Sequence, residues 1–310
     1  MTNTDITKGE EDFFTYAHGE IDRLTRLNRL STASNRNSSL RRFIEYREGK
    51  VTPFTIITPT LLEDFEAAMQ AKGCCRNTTS FHLRNLRSIY NQAARDGRFA
   101  PGANPFATVY TGIDTTRKRA LNLRDLIAIT TVDLSHRPSM EKARDLFTFS
   151  LITRGMSFID MAFLRKCDVK GGMLSYRRHK TGQLIVMHWE DEMQRTVDRH
   201  SSTTGYLLPI IRSEDGTERR QYKNAMMHIN RQLKVIASLA HIDATVSIYT
   251  ARHSWATLAR DQGVSIPVIS KALGHDSEIT TRIYLASVST EDVDRANKTV
   301  IDAVFKGHKP

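Results

Sequence analysis

MLSYRRHKTGQLIVMHW, residues 173–189, decides how this chain is built. The runs MLSYRRH (173–179) and QLIVMHW (183–189) are rich in strand-forming residues and flank Lys180-Thr181-Gly182, so they read as a β-hairpin with a lysine at its tip. Outside this hairpin the patterned stretches carry apolar residues at helical spacing. Upstream of it, helices are predicted at about 123–131, 139–152 and 157–164. Downstream they are predicted at about 190–200, 219–240, 250–262, 265–273, 277–286 and 289–304, with Gly263 and Gly274 as stops. The expected fold is therefore mostly α with a small β-hairpin or sheet in its larger, C-terminal part.

The N-terminal part shows almost no strand signal. Helices are predicted at 12–30, 36–48, 61–71 and about 78–96, with VTPFTIITP (51–59) as an extended connection and Thr58 or Thr60 as a cap. The fourth of these helices is expected to expose Arg76, His82, Arg84, Arg87 and Arg95, either as a solvated face or as contacts to a phosphate backbone. The stretch ANPFATVYTGIDTTRKRALN (103–122) is small, polar and basic, and it includes Arg117, Lys118 and Arg119. These features predict a helical domain over 1–107, a linker over 108–120 and a second domain over 121–310.

Composition narrows the partners. Forty-five Lys and Arg residues against 34 Asp and Glu give a net charge of +11, most of it beyond residue 115. Such an excess suits binding to a polyanion, because neutralising phosphates releases counterions. Three cysteines, Cys74, Cys75 and Cys167, provide neither a disulfide framework nor zinc spacing and suggest a reducing cytosol. No stretch approaches the roughly 18 apolar residues of a membrane span, and a cytoplasmic, nucleoid-associated bacterial protein is expected.

The chemistry is concentrated near the C-terminus. Tyr249-Thr250-Ala251-Arg252-His253 is followed by Leu273-Gly274-His275, and Tyr284 stands nine residues after that histidine. With Lys180, these are the side chains needed to attack a phosphodiester without a metal. A tyrosine can be the nucleophile, arginine and histidine can hold phosphoryl oxygens, and lysine can protonate the leaving group. Taken singly, a hairpin-tip lysine is solubilising charge, a loop histidine a cap and a tyrosine a core aromatic. Their joint spacing raises them to a candidate site with no cofactor and no metal.

On these residues, the hairpin Lys180-Thr181-Gly182, the box around Arg252 and His275 with Tyr284 behind it, the chain resembles the tyrosine recombinase (phage integrase) family over nearly its whole length. The segment Arg154-Gly155-Met156-Ser157-Phe158-Ile159-Asp160-Met161 looks most like the integrases and invertases of Bacteroides-type mobile elements. The resemblance implies a helical core-binding domain, a linker and a mixed catalytic domain that clamp double-stranded DNA. It implies cleavage by Tyr284 through a 3′-phosphotyrosyl link, with Arg252, His275 and a first arginine around the phosphoryl group and Lys180 as general acid. It further implies a homotetramer on two DNA sites, with exchange of a C-terminal helix (290–306 here) and accessory DNA-bending or directionality proteins. The other activities in view are relaxation of the type IB topoisomerase kind and regulation by an inactive DNA-binding protein. Two positions depart from the family pattern. Ser157 stands where the first arginine belongs, which makes Arg154, three residues earlier and nominally one helical turn away, the expected substitute. Tyr249 stands where a histidine belongs and is read as a phosphate ligand. The roughly 11 residues before the first helix are too few for an arm-binding domain.

Overall fold

The structure, a computed structural model, describes residues 11–114, 120–275 and Thr281. The chain divides into two compact units, Met1–Thr116 and Arg117–Pro310.

The first unit packs four helices, α1 (Phe13–Arg26), α2 (Leu30–Tyr46), α3 (Pro59–Ala71) and α4 (Arg76–Arg95). Asp12 caps α1 by accepting from Thr15 N, and Thr58 caps α3 by accepting from Leu61 N, with Pro59 at the first helical position. The interior is aromatic. Phe13, Phe43 and Phe65 are fully enclosed, and Phe13 meets Phe43 and Phe54 edge-on.

Three expectations change here. The helix predicted over 12–30 ends at Arg26, because Asn28 adopts φ +56°, and α2 begins at Leu30 rather than 36. Packing of Ala33, Leu40 and Phe43 carries that start through a run of poor helix formers. The connection 51–59 is not all extended but holds a 3-10 turn at Phe54–Ile56 that buries Phe54. His82, expected on the exposed face of α4, is buried against Ser39, Nδ1 to Oγ 3.1 Å. Beyond α4 the chain lies along this unit as far as Asp114. Val109 is buried, Arg87 donates to Thr111 Oγ1 and Ser80 donates to Gly112 O.

The second unit contains α5 (Leu123–Thr131), α6 (Pro138–Ile152), α7 (Phe158–Phe163), α8 (Asp191–Arg199), α9 (Glu218–Leu239), α10 (Ile248–Asp261) and α11 (Ile266–Leu273). One antiparallel sheet, in the order β1 (Val169–Lys170), β2 (Met173–Arg177), β3 (Leu184–His188), sits among them. The fold is thus mostly helical with a small sheet. β1 is too short to show a period in sequence. Helix α6 is the centre of this unit, packed on α8, α9 and α10, and Leu146, Phe147 and Phe149 have no exposed surface. Leu121 N donates to Ser254 Oγ at 2.8 Å, fastening the unit's first described residues to α10.

In the hairpin, Met173 pairs with His188 and Arg177 with Leu184. The loop closes through Arg178 N to Gln183 O and Gly182 N to Arg178 O, with Gly182 at φ +71°. Pleating points Leu174, Tyr176 and Arg178 to the inner face and Ser175 and Arg177 outward.

Candidate active site

Helix α10 starts two residues before the position expected from sequence, with Ser247 and Thr250 forming a reciprocal cap. Arg252 therefore lies past the first turn. Its contacts explain its burial. Its guanidinium is 4% exposed and donates from Nη1 to Gly155 O at 2.8 Å and from Nη2 to Leu273 O at 2.6 Å. It joins the turn after α6 to the end of α11. Gly155 makes this approach possible: at φ +69°, a Cβ there would stand 2.7 Å from Arg252 Cα.

Helix α11 ends as the sequence predicts, on Gly274 in the left-handed region (φ +61°), and His275 follows on a loop. The imidazole Nε2 lies 3.1 Å from Arg252 Nη2, and Nδ1 lies 2.8 Å from Thr281 Oγ1. A guanidinium only donates, so Nε2 accepts and the ring proton of the neutral form sits on Nδ1, donating to Thr281. Burial, then the charges of Arg252, Arg178 and Lys180, push the His275 pKa down to about 4, so the ring is neutral at physiological pH.

The segment Arg154–Asp160 differs from its expected geometry. Arg154 and Gly155 both have positive φ, and α7 starts only at Phe158, with Ser157 as its cap. Arg154 is thus in a tight turn, not one helical turn before Ser157 on a shared face. From there its Nη1 extends to Val186 O on β3, at 3.4 Å. Ser157 donates to Asp160 Oδ2 at 2.6 Å. The other Asp160 oxygen accepts from His179 N at 2.8 Å and faces His179 Nδ1 at 3.2 Å. Burial by itself would raise the Asp160 pKa, but the hydrogen bonds from His179 and Ser157 and the charge of Arg178 hold it low. This buried carboxylate ties the start of α7 to the hairpin tip, where Lys180 is exposed.

Arg252 and His275 are thus in direct contact, while Arg154 reaches the hairpin at β3 from its turn and Lys180 stands at the hairpin tip. Tyr249 is 48% exposed in the first turn of α10, its ring edge-on to His253 at 4.8 Å. Arg84 and Arg87 are half-buried on α4 in the first unit. Tyr284, Arg117, Lys118, Arg119 and the segment 290–306 lie outside the described residues. Sequence reading passed over Arg178, which is buried on the inner hairpin face. The alternation Leu174–Tyr176–Arg178 was the available signal. It also passed over Arg220, Lys223, Arg231 and Lys234, exposed along α9 at helical spacing. Among the described residues no His, Cys, Asp and Glu cluster suits a metal, and no helix is long and apolar enough to cross a membrane.

This helical unit with its small sheet, holding an arginine and a histidine in contact, has the integrase fold. A solved lambda integrase tetramer bound to a Holliday junction superposes with a TM-score of 0.65 over 90% of this chain and 78% of that one, at 15% identity. Residues 12–108 match the phage integrase SAM-like domain. The tyrosine recombinase XerA of Thermococcus kodakarensis is 28% identical over 53% of this chain, a match spanning only 58% of that relative. The tyrosine recombinase XerD of Listeria innocua is 21% identical over 78% of this chain and 83% of its own length. In sequence the chain is thus similar to tyrosine recombinases, and in fold to the integrases.

Proposed function

We propose that this protein is a site-specific DNA recombinase that cuts and rejoins strands through a 3′-phosphotyrosyl intermediate. The observation that carries the proposal is the contact between Arg252 and His275, built from α10 and the end of α11 and adjoining a lysine-tipped hairpin. Tyr284 attacks the scissile phosphate and the 5′-oxygen departs with a proton from Lys180. Arg252 and Arg154 offset the charge that grows on the phosphoryl oxygens. His275, held beside Arg252, completes the set around the phosphoryl group, and the phenolic proton passes to solvent water. Tyr249, exposed near the start of α10, donates from its phenol to a phosphoryl oxygen.

The first unit serves as the core-binding domain, with Arg84 and Arg87 toward the DNA backbone, and residues 108–120 join it to the catalytic unit. The exposed cations of α9 give the second unit its phosphate-facing side. The lambda integrase tetramer supports a tetrameric working form, with segment 290–306 exchanged between protomers and accessory proteins setting direction. The RGMSFIDM segment favours integrases and invertases of Bacteroides-type elements.

The test is a nicked suicide duplex built on an inverted repeat identified by inspecting the DNA beside the gene. The protein is expected to form a covalent adduct on it, and Tyr284→Phe to bind the duplex but form none. Adducts persisting in that variant would place the nucleophile elsewhere.

A further inference from the structure

Arg178 is a buried cation that the proposed chemistry leaves without a role. Its side chain is 7% exposed, on the inner face of the hairpin one position beyond β2. Nη1 donates to Gly274 O, the carbonyl immediately before His275. Nε faces Asp160 Oδ2 at 3.9 Å, beyond hydrogen-bond distance, and has no hydrogen-bond partner among the described residues. A buried guanidinium with an unmatched N–H is costly, and an apolar side chain of similar length would favour stability more.

What this placement achieves is a bridge. Arg252 and Arg178 hold two successive carbonyls at the end of α11, Leu273 O and Gly274 O, where the helix dipole favours positive charge. Gly274 is closely enclosed: a Cβ there would meet Arg178 Cδ at 2.6 Å and Ile185 Cδ1 at 2.8 Å. On its other side Arg178 faces the carboxylate that Ser157 and His179 hold. Arg178 thus places positive charge from the hairpin beside Asp160.

We infer that Arg178 is a positioning residue for the proposed strand transfer, anchoring the His275 loop to the hairpin that carries Lys180 and placing a positive charge beside Asp160. The inference rests on the recombinase reading for its effect on rate. Its effect on His275 can be read without DNA. The groups facing that imidazole are Arg252 from α10, Arg178 and Lys180 from the hairpin, and Thr281.

The experiment compares wild type, Arg178→Gln and Arg178→Lys by NMR titration of His275 in DNA-free protein and by single-turnover adduct formation against pH. In Arg178→Gln the His275 titration should move upward and adduct formation at neutral pH should fall roughly 100-fold, with duplex binding unchanged. Arg178→Lys keeps the charge but cannot span both partners. It should titrate near wild type and lose about tenfold in rate. Wild-type titration and rate in Arg178→Gln would overturn the inference. If Arg178→Gln does not fold, a wild-type rate in Arg178→Lys overturns the bridging role by itself. A wild-type protein that makes no adduct would defeat the recombinase reading instead, while the titration still decides whether Arg178 acts on His275.

Discussion

The Arg252 guanidinium donates to the His275 imidazole, Nη2 to Nε2 at 3.1 Å, although 23 residues separate them in sequence. The contact fixes the tautomer: a neutral ring with its proton on Nδ1, toward Thr281 Oγ1. It also gives the site a direction, with one group that only donates beside one that accepts.

Acidification should act through that imidazole. The folded pKa of about 4 lies below the ordinary 6.5, so on acidification the unfolded chain takes up the proton first. The contribution to stability is therefore complete above about pH 6.5 and declines as the pH falls toward about 4. Urea unfolding at about pH 7 and about pH 5 should show the decline, and His275→Gln should reduce it. An unchanged slope in that variant would contradict the neutral assignment.

Gly155→Ala should damage both folding and catalysis. The new methyl would stand 2.7 Å from the backbone of Arg252, at a position with φ +69°. A loss of about 1–3 kcal/mol is expected, measurable by denaturation, with adduct formation reduced beyond what the unfolded fraction explains.

Arg154→Ala and Ser157→Ala should separate cleanly. Ser157 caps α7 and bonds Asp160, so its loss should cost about 1 kcal/mol of stability. Arg154 is half-exposed in its turn. Its removal should leave stability nearly unchanged and slow strand cleavage far more than Ser157→Ala does. Equal rates for the two variants would refute Arg154 as the displaced first arginine.

Lys180→Ala should lower cleavage by roughly 100-fold or more on an ordinary phosphodiester. A 5′-phosphorothiolate, whose sulfur departs without a proton, should restore the rate. Failure of that substrate to rescue cleavage would remove the general-acid role from Lys180.

Much of the architecture was legible from local pattern. Helical periodicity located α3, α5, α6 and α9 within a few residues, and Gly274 marked the end of α11. The break at Asn28 was not legible, because neither glycine nor proline signals it; packing of Ala33 and Phe43 decides where α2 begins. His82 shows the same limit, since an α4 position that looks polar in sequence is enclosed by Ser39 and its neighbours.

By itself the sequence determined the helical class with its single hairpin and the residue types of the candidate site, from Lys180 through Arg252 and His275 to Tyr284. These depend on spacing and side-chain chemistry, which are local properties. Only the tertiary structure decided that Arg252 is held by carbonyls from two other segments, that Arg154 sits in a left-handed turn, and that Arg178 is buried between Asp160 and Gly274. Those facts depend on which backbone carbonyls and carboxylates meet a guanidinium across 18 to 97 residues of chain, and no local pattern encodes them.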